Sequence, residues 1–485
     1  MSPTPLSSDP LDIYLIAIGG TGMAPLACLL QEAGHSVRGS DVLLYPPMST
    51  LLRNCGIEPL LGYVPEHLDP RPDLVIVGNA VPKTNPEAQA VEELGVERIS
   101  MPEALYRFFL TSRRPLVVAG THGKTTTTAL AAWVYRATGC DPGFLIGGAP
   151  LNFEHSFATG SGERFIVEGD EYNAAYFDRG PKFFHYRPDT LILTSVEYDH
   201  ADLYETPSAL DQTYRRLVRS MPASGLLIAY GDSDEVRSVA AEAPCRTLFY
   251  GFEDHCDLRP EKVVSDQRGT QFELRIAGDA VEDRIAIELP LGGGHNLLNA
   301  TAVFGAAYAD SIPPSGIAAA LAEFEGVRRR QEVVGDSGGI LVIDDFAHHP
   351  TAVRLTLEGL RNRYPDKKVI VALELRSLTA ARRIFFADYL EALKCADRVW
   401  LAPVFHAGRF SDSERLDTRK LAAALGEAET PATACGSIEE LRRGVLDSLQ
   451  PGDLFVTMSS GNFEDLPHKV AAAMEKKGEK RGTGN

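Results

Sequence analysis

Apolar and polar positions alternate along the chain in a repeating rhythm. Short apolar runs at 13–18, 36–40 and 74–78 are separated by polar turns from longer stretches with helical spacing. Strands feeding helices in this way predict a parallel sheet covered by helices. The rhythm returns at 115–118, 165–167 and 191–195, with helices expected at 127–137 and 207–221. After Gly326 it restarts at 340–343, 369–373, 399–402 and 454–458. Between 272 and 289 the period changes to two: Phe272, Leu274 and Ile276, then Ile285, Ile287 and Leu289, alternate with polar residues. That pattern predicts a half-exposed antiparallel hairpin, and a helix over 296–308 closes the segment.

A chain of 485 residues is too long for one core, because cores stop growing at about 250–300 residues. Breaks at 111–115 and at Gly326 therefore predict an α/β protein of three domains. A Rossmann-like N-terminal domain covers 1–113, a P-loop ATPase-like central domain 114–325, and a Rossmann-like C-terminal domain 326–485. No sequence repeat links the three.

The central assignment rests on Ala119-Gly-Thr-His-Gly-Lys-Thr-Thr126, which follows an apolar strand and opens a helix. Glycines at such a turn gather backbone N–H groups around an anion, and a lysine with a hydroxyl suits a triphosphate with Mg²⁺. The loop is shorter than G-x-x-x-x-G-K-[ST], since position 118 is Val118. Gly120, Thr121, His122, Gly123, Lys124, Thr125 and Thr126 are thus the candidate ATP cradle.

Two acidic clusters, Val167-Glu-Gly-Asp-Glu171 and Glu197-Tyr-Asp-His200-Ala-Asp202, end neighbouring apolar runs, where doubly wound sheets place their ligands. Oxygen ligands suit Mg²⁺, and one histidine is tolerable; some of these acids are also expected to cap helices. Gly19-Gly-Thr-Gly22-Met-Ala follows the first strand, and Asp41 ends the next, where a ribose-binding acid belongs. Pro25 stands in place of the third glycine, which favours a single nucleotide's diphosphate over a dinucleotide. His295-Asn-Leu-Leu-Asn299 offers an amide that can pair with adenine, and Arg330 and Asp345 flank the second domain break.

Composition narrows the partners. With 48 basic against 66 acidic residues, net −18, the surface repels phosphate backbones and anionic membranes, so nucleic acid and membrane are not expected partners. No apolar run approaches the ~20 residues needed to span a bilayer, the start reads as no leader, and a cytoplasmic location is expected. Seven scattered cysteines without a C-x-x-C read as reduced, mostly structural thiols. The Lys/Gly-rich end, 475–485, reads as a solvated, frayed tail.

These motifs, in this order, resemble the Mur ligase family: Ile18-Gly-Gly-Thr-Gly-Met, Ser40-Asp41, Gly-Thr-His-Gly-Lys-Thr, Glu-Gly-Asp-Glu171, Asp-His200, His-Asn-x-x-Asn299, Arg330 and Asp-Asp345-x-x-His-His-Pro. The resemblance implies an ATP-dependent ligase acting on UDP-N-acetylmuramate, whose lactyl carboxylate attacks ATP to give an acyl phosphate that an amine opens to an amide. It implies Lys124, Glu171 and His200 as catalytic residues, and Thr125, Glu171, with Glu168 helping, and His200 as metal ligands. Asn299 would read adenine, and Arg330 and Asp345 would hold phosphate and ribose. Gly20, Thr21, Gly22, Met23, Ser40 and Asp41 would bind the UDP-sugar, and Arg376 a peptide carboxylate.

The stretch 171–188 and Glu-Leu-Arg376-Ser resemble members that attach the tripeptide L-alanyl-γ-D-glutamyl-meso-diaminopimelate during peptidoglycan recycling; Gly169 and Asn173 depart from their pattern. The alternatives are an L-alanine-adding ligase and an inactive nucleotide sensor. The carbamate-forming lysine of several relatives is absent: no lysine lies between Lys182 and Lys262, and Arg215 stands near its place.

Overall fold

A computed structural model describes residues 9–199, 201, 203–277 and 283–482. They form three sheets in chain order. The first holds β1 (Asp12–Ile16), β2 (Ser36–Asp41), β3 (Leu60–Leu61), β4 (Leu74–Val77) and β5 (Glu97–Ser100), in the order β3-β2-β1-β4-β5, all parallel. The order reverses between β1 and β4, and such a switch point opens a crevice at the strands' carboxyl ends. The Gly19–Gly22 turn leaves β1 there and enters the helix Met23–Glu32, of which the segment 23–30 is buried.

The second sheet comprises β6 (Arg114–Ala119), β7 (Gly143–Leu145), β8 (Phe157–Ala158), β9 (Arg164–Gly169), β10 (Thr190–Leu193), β11 (Leu226–Tyr230), β12 (Arg246–Tyr250), β13 (Leu258–Asp266), β14 (Gly269–Ile276) and β15 (Asp283–Leu289). Its order is β15-β14-β13-β12-β11-β10-β6-β9-β7-β8. The expected hairpin is β14–β15, antiparallel, and β13 extends it to a three-stranded meander. The strand before the glycine turn, β6, lies between β10 and β9, with Leu193 and Gly169 both in register with Ala119. Both acidic clusters therefore leave the sheet beside the turn.

The third sheet comprises β16 (Glu332–Ser337), β17 (Ile340–Asp345), β18 (Lys368–Leu373), β19 (Arg398–Leu401), β20 (Ala432–Ala434) and β21 (Asp453–Met458), ordered β16-β17-β21-β18-β19-β20 with only β16 antiparallel.

Three expectations need correction. Cys28 and Cys55 are paired as a disulfide rather than reduced; the helices Met23–Glu32 and Met48–Asn54 pack together, and spacing along the chain carried no sign of that contact. The end is not frayed from Glu475: the helix Leu466–Gly482 runs on, its inner face anchored by Leu466, Val470 and Met474. A second helix, Pro314–Ala322, follows Gly294–Ala309 before the third sheet. No helix among the described residues is long and apolar enough to cross a membrane.

Candidate active site

The turn after β6 is shaped by close approach. Gly120 has φ +131°, and a Cβ there would lie 2.2 Å from Thr194 Oγ1; Gly123 has φ +80°, and its Cβ would lie 2.9 Å from Asn299 Oδ1. Only glycine serves at either place. Thr121 N–H donates to the Ser195 carbonyl at 3.2 Å and His122 N–H to Ser195 Oγ at 3.0 Å. The Thr121 hydroxyl donates to the Glu197 carbonyl at 3.0 Å. The helix then starts at Lys124, three residues earlier than its apolar pattern indicates, because the turn itself supplies the first helical residues.

Around this turn the charges converge. Lys124 Nζ donates to the Gly120 carbonyl at 2.7 Å and pairs with Glu171 Oε2 at 3.0 Å; the Glu171 side chain is buried and that of Lys124 half-buried. Burial disfavours the ammonium, but Glu171, Asp170 and Glu168 outweigh it and hold Lys124 above its usual pKa. The Thr125 hydroxyl donates to Glu168 Oε2 at 3.0 Å, and Gly147 N–H binds the other Glu168 oxygen at 2.6 Å. Burial, with Asp170 beside it, raises Glu168.

Arg330, on the segment leading into β16, reaches back across the domain break to donate to Thr125 Oγ1 at 3.2 Å, its guanidinium 4.4 Å over the Phe346 ring. Asp345, at the end of β17, accepts from the Gln331 and Ala347 N–H groups, both at 2.7 Å. A cavity of about 420 Å³ opens between these parts, and His122, Gly123, His295, Asn299, Arg330 and Asp345 line it. The sequence candidates for ATP thus meet at one place. Gln331 and Ser195 also line it, Phe346 backs the Arg330 guanidinium, and the sequence assigned a role to none of the three. His200 lies outside the described residues.

The first sheet's turn is built differently. Gly19 N–H donates to Asp41 Oδ2 at 2.9 Å, and Asp41 Oδ1 accepts from Val42 N–H at 2.7 Å. Ser40 Oγ donates to Glu87 Oε2 at 2.5 Å. Fully buried, Glu87 also accepts from Tyr14 OH at 3.0 Å and Val64 N–H at 3.2 Å and pairs with His67 Nδ1 at 2.9 Å. Gly20 and Thr21 are exposed and Gly22 half-buried, whereas the Met23 side chain is core. Sequence reasoning missed Glu87; a lone acid in a capped surface helix carries no sign of burial.

Arg376 stands apart from the cavity, just past β18, its guanidinium 3.9 Å over Phe405 and 3.8 Å from Glu374. Arg215 is engaged by Asp211 and Glu242, both at 2.7 Å.

A triphosphate-type turn set between two acidic strand ends, and closed by an arginine from a third α/β layer, defines a three-domain nucleotide-dependent enzyme. Comparison with known proteins sharpens that class. Residues 12–113 match "Mur ligase family, catalytic domain", residues 118–307 the "Mur ligase middle domain" and residues 329–461 the "Mur ligase, glutamate ligase domain". The UDP-N-acetylmuramate–L-alanyl-γ-D-glutamyl-meso-2,6-diaminoheptandioate ligase of Escherichia coli K12 is 38% identical over 96% of this chain and 99% of its own. The UDP-N-acetylmuramate–L-alanine ligase of Acidithiobacillus ferrooxidans is 33% identical over 94% and 96%. The crystal structure of a murein peptide ligase from Psychrobacter arcticus superposes with a TM-score of 0.71 at 32% identity, over 96% of this chain and 99% of that one. The chain belongs to the Mur ligase family, the ATP-dependent ligases that form amide bonds.

Proposed function

We propose that the chain joins L-alanyl-γ-D-glutamyl-meso-diaminopimelate to UDP-N-acetylmuramate with ATP, in the cytoplasmic recycling of peptidoglycan. The observation that carries the chemistry is the meeting of Lys124, Thr125, Glu171 and Arg330 at one turn. The choice of tripeptide is supported by the identity of 38% to a tripeptide-adding relative, against 33% to an alanine-adding one.

Phosphoryl transfer asks for charge neutralisation and alignment rather than covalent help. Lys124 exchanges its Glu171 partner for the β- and γ-phosphates, and Arg330, already on the Thr125 hydroxyl, covers the transferred group. Asn299 pairs with adenine and Asp345 accepts from ribose. Oxygen donors dominate between Thr125, Glu168 and Glu171, a set that fits Mg²⁺. With His200 these residues would hold it, and the cation would neutralise phosphate charge. The first domain presents the Gly20–Gly22 backbone, Ser40 and Asp41 to the UDP-sugar. Arg376, a flat fork on an aromatic ring, fits a peptide carboxylate.

The test is ADP release with ATP, Mg²⁺ and UDP-N-acetylmuramate, comparing tripeptide with L-alanine. Faster release with the tripeptide is expected; preference for L-alanine makes the chain the biosynthetic ligase, and release with neither removes the ligase reading.

A further inference from the structure

His122, Glu197 and His349 offer ligand atoms that all lie within 4.8 Å of one another. They come from three separate segments. His122 sits in the turn after β6, Glu197 follows β10, and His349 caps the helix Pro350–Arg363 in the third layer. The two imidazole rings are 4.8 Å apart, centre to centre. Nε2 of His122 is 3.4 Å from Glu197 Oε2. Nε2 of His349, a residue 6% exposed, is sealed from solvent and has no hydrogen-bond partner. Glu197 is held in place by the Thr351 hydroxyl at 2.6 Å.

We propose that His122, Glu197 and His349 bind a divalent transition-metal cation of the Zn²⁺ class, bridging the central and third domains. Two imidazoles and one carboxylate with an open fourth position form a donor set for such borderline-soft ions. Mg²⁺ prefers oxygen ligands and near-octahedral geometry, so the position expected for it near Thr125 is chemically distinct. Burial holds the His349 ring neutral, its pKa lowered to about 4, as a ligand must be. Burial alone would raise Glu197, but its contact with His122 outweighs that and lowers it to about 2, keeping the carboxylate charged.

The geometry also sets the strength of the site. Zn–N and Zn–O distances near 2.0–2.2 Å place donors closer together than these stand, so binding draws His349 toward the His122–Glu197 pair. Nδ1 of His349 accepts from the Thr351 N–H at 3.4 Å, so the neutral ring carries its proton on Nε2, and metal binding there must move that proton to Nδ1 and give up the cap. A ligating histidine usually donates from its second nitrogen, and lacking that support costs roughly 10–100-fold in affinity. The metal is therefore exchangeable, and it acts as a clamp that opposes opening of the nucleotide cleft.

The experiment is calorimetric titration of the full-length protein with Zn²⁺ in a large excess of Mg²⁺, alongside thermal melting with and without Zn²⁺. One Zn²⁺ per chain and a raised melting temperature are expected. His349→Asn keeps an oxygen to cap the Thr351 N–H while removing the imidazole. It should weaken uptake more than roughly tenfold and abolish the melting shift. Glu197→Gln, at a different position of the set, should do the same. Failure of the wild type to take up Zn²⁺, or uptake that both variants leave unchanged, overturns the proposal. Neither result depends on which peptide the enzyme uses.

Discussion

Two strand–glycine–helix turns of this chain share a backbone plan and differ in what faces them. At the first, the Gly19 N–H is already spent on the Asp41 carboxylate. No cation stands in the turn, whose residues are Gly19, Gly20, Thr21 and Gly22. At the second, Gly123 takes φ +80° to start the helix, and the first helical residue is Lys124, half-buried among carboxylates. A negative charge at the first turn disfavours a triphosphate and favours hydroxyl donors such as ribose. An ammonium at the second favours a polyanion. The glycine turn provides the geometry of approach, and the sheet neighbours decide what approaches.

The largest expected effect separates the two turns. Lys124→Ala should lower ADP formation by at least roughly a hundredfold, the scale of removing one charge-stabilising donor. UDP-N-acetylmuramate binding, followed by calorimetry, should be nearly unchanged. Loss of sugar-nucleotide binding in this variant would mean that the turns are not independent. Arg330→Lys comes next: it keeps the charge but loses the fork and the stacking on Phe346. A fall in kcat of roughly tenfold, with the UDP-sugar KM unmoved, would assign the loss to the nucleotide turn.

Glu87→Gln probes the other side. The buried carboxylate organises Ser40, Tyr14, His67 and the Val64 amide, and an amide cannot accept from all of them. A net loss of about 1 kcal/mol, near a fivefold rise in the UDP-sugar KM, is expected with kcat unchanged. An equal fall in kcat would show that the first turn also aligns the reacting carboxylate.

The same contrast explains what was legible in the sequence. Most strands that are apolar throughout, and the turns that end them, could be placed because burial on both faces leaves a continuous run, although β11 carries such a run and the rhythm read from the sequence omits it. Short edge strands such as β3, β16 and β20 could not, because their residues are mostly part-exposed and carry no such run. Within the site, Lys124, Thr125 and the acids stand in a motif of fixed spacing. Arg330 and Asp345 could be marked as candidates at the domain break, but only the family resemblance picked them out with roles, since a chain fold-back of 205 residues brings Arg330 to Thr125. Glu87, Phe346 and the Cys28–Cys55 pair owe everything to packing, which leaves no local pattern.

The smallest expected effect is on pH dependence, and it reports on the cavity beside the second turn. His295, opposite the Gly123 turn, is half-buried and loses its proton readily; desolvation, with His122 nearby, lowers its pKa from 6.5 to about 4. One ring nitrogen contacts Gln331 at 3.1 Å and the other has no partner. Between pH 6.5 and 4 the unfolded chain carries a proton here that the folded chain does not. Unfolding therefore takes up a proton, and stability falls as the pH is lowered through that window, by at most about 1.4 kcal/mol per unit. His295→Gln removes the titrating group, so its melting temperature should fall less steeply from pH 6.5 to 5 than the wild type's. If His295→Gln left the pH slope unaltered, acid sensitivity would have to come from elsewhere than the nucleotide cavity.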